Sequence, residues 1–220
     1  MKILVITPHP DDEVLGCGGA IINHVKKGDE VYLCIATKVY TPDWTEKFIK
    51  ERVLEIEKSN KILGIKKTFF LDFKTAQLDV VPQKELNEKI SKVIEEVKPE
   101  IVYLPHKGDL HKDHRLVFYS SLVATRPGYN NYIKRVLSYE VLSETDWGNV
   151  ICPFLPNVYI DITESIEEKI KAMQAYKSEI RKYPHSRSLE MIKVLAQKRG
   201  AEAGLELAEA FLLIRENYGK

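Results

Sequence analysis

Two short polar clusters carry the residue types that could do chemistry. Residues 8–13 read PHPDDE and residues 106–115 read HKGDLHKDHR, and each cluster directly follows an apolar run. When several imidazoles and several carboxylates lie close together, groups of like charge repel one another and all of them resist desolvation. Such a cluster is favourable where a bound cation or a proton-transfer reaction requires it. A divalent metal satisfies this combination, because zinc takes histidine and carboxylate ligands and a catalytic zinc site leaves one position open for water.

The metal ligands that we predict are His9, Asp12 and His114. Any one of these residues has an ordinary explanation when it is taken alone. A single histidine near a strand end is usually a turn or capping residue, and Asp11 with Asp12 would suit the start of a helix. The prediction of a metal site rests on both clusters together, because each of them lies directly after an apolar run.

The elements that must position these clusters are predicted from apolar runs and turn residues. Buried strands are expected at residues 2–7, 31–37, 68–73 and 101–105, and helices between them at residues 19–27, 44–63 and 85–97. Alternating strands and helices predict right-handed crossovers and a Rossmann-like α/β fold, with a mostly parallel sheet and helices on both faces. In the strand order 3-2-1-4-5, strands one and four are neighbours, and ligands bind beyond their carboxyl ends. This topology would bring the two clusters together.

The remainder of the chain is expected to complete one domain over residues 1–220. Strands are predicted at residues 135–142 and 158–162, the second from its alternating apolar side chains. Ser165 and Glu168 have the spacing of a capping box, which predicts a helix to about residue 180. A final helix is predicted over residues 205–215.

Composition favours a small uncharged substrate. The chain has 33 Lys and Arg against 32 Asp and Glu, so its net charge of +1 gives no attraction to nucleic acid or to an anionic membrane. No apolar run approaches the ~20 residues that span a bilayer, and the apolar start is too short for a signal segment. We therefore expect a soluble, cytoplasmic protein. Its cysteines (Cys17, Cys34, Cys152) lack metal-type spacing and are expected to be reduced thiols.

Further residues extend the pattern along the chain and match a known family. The PHPDDE segment, the glycines at 16, 18 and 19, and His111-x-Asp113-His114-Arg115 resemble the PIG-L/LmbE-like N-acetylglucosaminyl deacetylases. Arg52-x-x-Glu55, Arg199-Gly200 and the segment at 208–211 (AEAF) also resemble that family's pattern, so the resemblance covers nearly all 220 residues.

The resemblance implies a zinc-dependent amidohydrolase that deacetylates an N-acetylglucosamine-type conjugate. The ligand set would hold one Zn²⁺ per chain, with Fe²⁺ as the alternative. Asp11 would be the general base, a protonated His111 would stabilise the oxyanion, and Asp113 would be the carboxylate partner of His111. These roles agree with the chemistry of a metal-bound water beside a free carboxylate.

Weaker candidates for substrate binding are Arg52, Asp109 and His185. The family pattern points to Arg52, although an ion pair with Glu55 would also explain it. Asp109 could instead support a metal-bound histidine, and His185 lies in a loop that could fold over the site or face solvent. Other side chains of interest are His106, Tyr40 and Trp44. In the loop after the third strand, residues 74–78 (KTAQL) lack the acidic residue that family members often carry, so sugar recognition is expected to differ there.

Three other functions stay open at this point. A metal-dependent phosphoesterase would use two metals, and Asp113-His114-Arg115 resembles its DHH motif. Two histidines and one carboxylate also suit an iron oxygenase. A sugar-binding protein without turnover is the third, and the intact Asp11 and His111 argue against it. The sequence is compatible with a homo-oligomer.

Overall fold

One seven-stranded sheet organises the molecule, which a computed structural model describes for residues 1–128 and 130–218. The strands are β1 (Lys2–Thr7), β2 (Glu30–Lys38), β3 (Lys67–Lys74), β4 (Ile101–Leu104), β5 (Arg135–Tyr139), β6 (Val158–Asp161) and β7 (Ala208–Glu216). Their order is β3-β2-β1-β4-β5-β7-β6, in which the first five are parallel and β7 runs antiparallel to both β5 and β6. The predicted α/β fold class and the order 3-2-1-4-5 are confirmed.

Helices cover both faces of this sheet. They are α1 (Asp12–Lys26), α2 (Glu46–Leu63), α3 (Gln83–Val97), α4 (Lys112–Ala124), α5 (Thr145–Gly148), α6 (Ile166–Ala175) and α7 (Leu189–Ala203), with a 3₁₀ turn at Leu78–Val80. Alternate residues of β1 enter different apolar layers: Ile3 and Val5 pack with α1, α2, α6 and α7, whereas Leu4 and Ile6 pack with α3 and α4. Burial of both faces is what a parallel sheet between helices requires. No helix within the described residues is both long and apolar enough to cross a membrane.

Three predictions about the elements were wrong. The final helix expected at residues 205–215 is strand β7, because this apolar segment pairs with β5 and β6 within the sheet. Ser165 makes no capping hydrogen bond to α6; its hydroxyl faces the carbonyls of Gly19 and Ile162. The first helix begins at Asp12 rather than residue 19, since α1 continues through an irregular backbone at Cys17.

The interruption in α1 is stabilised by a buried ion pair, here called the kink pair, formed by Lys169 and Glu209. Glu209 Oε1 and Oε2 accept the backbone N–H groups of Gly19 and Ala20, each at 2.8 Å. The Lys169 ammonium lies 2.7 Å from Glu209 Oε1 and donates to the Leu15 carbonyl at 3.0 Å. An anion therefore caps the start of the second half of α1, and a cation caps the end of the first half.

Candidate active site

Three side chains converge where the carboxyl ends of β1 and β4 meet. His9 follows β1, Asp12 is the first residue of α1, and His114 lies in the first turn of α4. His9 Nδ1 is 3.2 Å from His114 Nε2, and Asp12 Oδ2 is 3.5 Å and 3.4 Å from those two nitrogens. A tetrahedral site with bonds of 2.0–2.1 Å has ligand-to-ligand edges of roughly 3.3 Å. The three atoms therefore have the spacing of one face of a zinc site.

The surroundings of these atoms also fit a cation. Asp12 Oδ1 is buried and has no hydrogen-bond partner among the described residues. His114 Nδ1 is 2.8 Å from Asp109 Oδ2, so Nε2 is left with its lone pair facing His9 and Asp12. Asp109 is fully buried, and its Oδ1 accepts the Thr145 hydroxyl at 2.6 Å. Because both oxygens are engaged, Asp109 lies behind His114 and does not face the cavity as the substrate-binding prediction required.

The pKa shifts of the three residues show which charge this cluster favours. Burial disfavours the charged form of His9, but hydrogen bonds to Asp113 and Asp12 raise its pKa to about 10. Burial also disfavours the charged form of His114, but the charge of Asp12 outweighs this effect and the pKa of His114 is raised. The pKa of Asp12 is lowered, since the attraction of His114 and His9 exceeds the cost of its burial. The cluster is therefore a place where positive charge is favoured.

Asp11 lies beside the three predicted ligands and is held in a strained backbone conformation. Its φ of 109° is in the left-handed region, which a non-glycine residue rarely adopts. Its backbone N–H donates to Glu13 Oε2 at 3.1 Å, and the Tyr176 hydroxyl donates to Glu13 Oε1 at 2.7 Å. Burial and the neighbouring Asp12 raise the pKa of the Asp11 carboxyl well above its usual range, against the attraction of Arg187.

Asp113, the predicted carboxylate partner of His111, lies closer to His9 than to His111. Asp113 Oδ2 lies 3.1 Å from His9 Nε2 and 4.0 Å from His111 Nδ1, and it also accepts the backbone N–H of Ala76 at 2.8 Å. His111 Nδ1 instead accepts the backbone N–H of Asp113 at 3.1 Å, as the cap of α4. Burial and the nearby His9 lower the pKa of His111 to about 4, so the ring is neutral with its proton on Nε2.

A cavity of about 460 Å³ opens beside this cluster. Among the predicted residues, it is lined by His9, Asp11, Trp44, Arg52 and His111. The Arg52 side chain is nearly buried and pairs with Glu179 from the loop after α6 and with Glu55, whose Oε2 is 3.6 Å from Arg52 Nε.

Two other predicted positions lie away from the cavity. His185 is exposed and lines a separate surface depression with Trp147 and Arg181. His106 is buried against Phe154, with its Nε2 3.1 Å from the Cys152 carbonyl, so it shapes its own loop. Tyr40 stacks on Trp44 at 5.6 Å between ring centroids, and only Trp44 lines the cavity.

Arg187 is the site residue that the sequence analysis missed. Its guanidinium reaches four side chains: Ser143 Oγ at 2.7 Å, Glu179 Oε2 at 2.8 Å, Asp11 Oδ2 at 3.4 Å and Glu144 Oε1 at 3.5 Å. Together with Glu144 it separates the main cavity from the depression that holds His185. Arg187 lies only two residues after His185, in a loop without periodicity, so the adjacent histidine was the stronger sequence signal.

Comparison with known proteins agrees with the geometry. The model of the family described as GlcNAc-PI de-N-acetylase matches residues 4–125. The chain is 31% identical over 185 residues to the uncharacterized deacetylase YaiS of Escherichia coli K12, which covers 80% of this chain and 90% of YaiS. It is 29% identical over 194 residues to the diacetylchitobiose deacetylase of Thermococcus kodakarensis, which covers 81% and 70% of the two chains.

A solved structure has the same fold. The N,N'-diacetylchitobiose deacetylase from Pyrococcus horikoshii superimposes with a TM-score of 0.78 over 97% of this chain and 83% of that one, at 23% identity. The sheet order and the helices on both faces are therefore shared beyond the segment that the family model matches.

Proposed function

The chain belongs to the GlcNAc-PI de-N-acetylase (PIG-L) family, and from this premise we propose that it is a zinc-dependent hydrolase that deacetylates an N-acetylated amino sugar. Residues 1–220 would form one deacetylase domain. The observation that carries the proposal is the triangle of His9 Nδ1, Asp12 Oδ2 and His114 Nε2 with edges of 3.2–3.5 Å, which has the Asp11 carboxylate beside it. Relatives named as deacetylases of chitobiose and of glucosaminyl malate support the substrate class.

His9, Asp12 and His114 would hold the metal. A bound Zn²⁺ supplies Lewis acidity, which lowers the pKa of a coordinated water to about 7 and polarises the amide carbonyl. Asp109 fixes the ring of His114, and Asp113 fixes that of His9, through the ring nitrogens that face away from the metal position. These carboxylates orient the ligands before the metal arrives.

Asp11 takes the proton of the attacking water. Its carboxylate lies next to the ligand Asp12, and its raised pKa gives it more affinity for that proton than an exposed aspartate would have. Glu13 holds the Asp11 backbone, and Arg187 contacts its Oδ2, so the side chain stays aimed at the cavity. The same proton then passes to the departing amine, because a carboxyl with a raised pKa is a suitable acid as well as a suitable base.

His111 donates to the oxyanion as a neutral ring. Since its Nδ1 accepts the backbone N–H of Asp113, the remaining proton is on Nε2 and is available to the cavity. A donor of this kind contributes about 3–4 kcal/mol to the stability of an oxyanion transition state. The backbone amide thus favours a neutral His111, in place of the protonated ring with a carboxylate partner that the sequence predicted.

The test combines metal analysis of the purified protein with free-amine release from a panel of N-acetylglucosamine conjugates. We expect about one zinc per chain and amine release by the wild type. His114→Ala should lose both, whereas His185→Ala, whose side chain is exposed and outside the cavity, should keep both. Two metals per chain with cleavage of phosphate esters would favour the phosphoesterase alternative and overturn the deacetylase proposal.

A further inference from the structure

We propose that this cavity selects amino-sugar conjugates with an uncharged, apolar substituent near the amide, and disfavours conjugates that carry a carboxylate or a phosphate. The inference rests on the proposed function, because it assigns a substrate class to the same site. It is carried by two independent features of the cavity, its apolar side and the pairing of its cations.

One side of the cavity is an apolar wall, defined here as Val39, Trp44, Ile49, Val53 and Phe70. These side chains come from the loop after β2, from α2 and from β3. Val53 is 49% exposed and Phe70 is 52% exposed, although both border the cavity that holds Asp11 and His111. An apolar group placed there would remove this surface from water, which favours binding in proportion to the area covered.

The cations that line the cavity are already paired with carboxylates. Arg52 pairs with Glu179, and Lys38 Nζ is 3.0 Å from Asp72 Oδ1. Arg187 is shared between Glu179 at 2.8 Å, Asp11 at 3.4 Å and Glu144 at 3.5 Å.

An anionic substituent would have to displace one of these carboxylates or lie near an excess of them. Like charges placed together in a partly buried site oppose binding. Among the described residues of the lining, each Lys and Arg is therefore already paired, so a malyl or phosphoryl group finds no free cation there, and a neutral group meets no such penalty.

The experiment measures kcat/KM for methyl and octyl glycosides of N-acetylglucosamine, for N-octanoylglucosamine, and for N-acetylglucosamine 1-phosphate and the malate glycoside. The octyl glycoside and the N-octanoyl compound distinguish an apolar aglycone from an apolar acyl chain. Val53→Ser is compared with Leu54→Ser, because Leu54 is the next residue of α2, is 63% exposed and does not line the cavity.

We expect an octyl compound to exceed both anionic conjugates by about tenfold or more in the wild type, as apolar pockets commonly discriminate. The octyl-to-methyl ratio is kcat/KM for the better of the two octyl compounds divided by kcat/KM for the methyl glycoside. This ratio should fall about fivefold in Val53→Ser and stay constant in Leu54→Ser. Preference for an anionic conjugate, or equal effects of the two variants, would overturn the inference. The inference would also be overturned if the octyl-to-methyl ratio were unchanged in Val53→Ser while size-exclusion chromatography showed the loss of an oligomer. That result would assign the apolar wall to a subunit contact.

A binding measurement separates this inference from the proposed function. Calorimetric titration with octyl 2-amino-2-deoxyglucoside and with glucosamine 1-phosphate needs no turnover. If no conjugate releases amine but the octyl compound binds and Val53→Ser weakens it, the deacetylase proposal fails and the apolar selectivity stands. If amine is released but the phosphate binds more tightly than the octyl compound, the selectivity fails and the deacetylase proposal stands.

Discussion

Two clusters of buried charge lie along the same helix, α1, and they are built in opposite ways. At the kink pair, both oxygens of Glu209 and the ammonium of Lys169 are matched by backbone groups that the interrupted helix leaves without partners. At the amino-terminal end, Asp11 and Asp12 adjoin one another, and Asp12 Oδ1 has no partner in the described chain.

The difference separates a structural ion pair from a site prepared for chemistry. The matched charges of the kink pair provide hydrogen-bond partners for backbone groups where α1 is interrupted. Removing one of these charges leaves the other buried without its partner. Unmatched charges reduce stability, and proteins retain them where a ligand or a reaction supplies the missing partner.

Asp11→Asn should lower kcat for amine release by about 10²- to 10⁴-fold, the contribution of a positioned general base. The same change should not destabilise the fold. The folded-state pKa of Asp11 is raised, so its ionisation opposes folding as pH rises above the unfolded value. Unfolding of the metal-free variant should match the wild type near pH 4 and show greater stability near pH 8. Lower stability of Asp11→Asn at pH 8 would contradict this account.

Glu209→Ala should reduce the free energy of unfolding by about 3–5 kcal/mol, because it leaves the Lys169 ammonium buried without its partner. Urea denaturation monitored by circular dichroism gives this value. The control is Glu88→Ala, which removes an exposed i,i+4 pair with Lys84 whose N–O distance is 3.7 Å and should change stability by about 0.5 kcal/mol or less. Similar losses in both variants would remove the distinction between matched burial and surface pairing.

Asp109→Asn should weaken zinc binding by about 10- to 100-fold, since the ring of His114 would lose its carboxylate partner. Competition with a chromogenic chelator measures this affinity. Asp146→Asn, on the exposed surface nearby, serves as the control and should bind zinc as the wild type does. Unchanged affinity in Asp109→Asn would show that packing alone orients His114.

Zinc affinity should increase at least tenfold per pH unit between about pH 6 and 8, because His9 must lose a proton to become a ligand. The pKa of His9 is raised to about 10, so the metal-free protein carries this proton throughout that range, and the pKa of the ligand His114 is raised as well. Titration calorimetry in buffers of different ionisation enthalpy should detect at least one proton released per zinc. Affinity that does not change with pH would mean that His9 is neutral before the metal binds.

The sequence was sufficient to predict the parts of the fold and of the site that follow from the order of strands and helices along the chain. Buried strands joined by crossover helices determine which carboxyl ends meet, so the approach of His9 to His114 followed from topology. Contacts made by residues far apart in sequence could not be predicted in this way. Arg187 joins Asp11, Glu144 and Glu179 through side chains on three separate loops.

The wrong predictions arose where local patterns are ambiguous. A short apolar run such as residues 208–214 suits either a helix or a buried strand, and the neighbouring strands β5 and β6 decide between them. The spacing of Ser165 and Glu168 suits a capping box, but the Ser165 hydroxyl finds the carbonyl of Gly19 nearby in the folded chain. The helix predicted from residue 19 also started too late, at the last of three glycines that lie within α1. Gly16 and Gly19 occur because a Cβ atom would lie 2.3 Å from Tyr139 and 2.5 Å from Ile162.

Strand β7 also has a consequence for how the protein is made. It is the last strand in chain order, yet it lies between β5 and β6 and supplies Glu209 to the interruption in α1. During synthesis on the ribosome, the edge of β5 therefore stays unpaired, and β6 cannot join the sheet, until β7 has emerged. The predicted zinc ligands are all synthesised before β7, but the helix that carries Asp12 receives its internal cap only after translation of β7. Maturation of the site is thereby coupled to the synthesis of this strand.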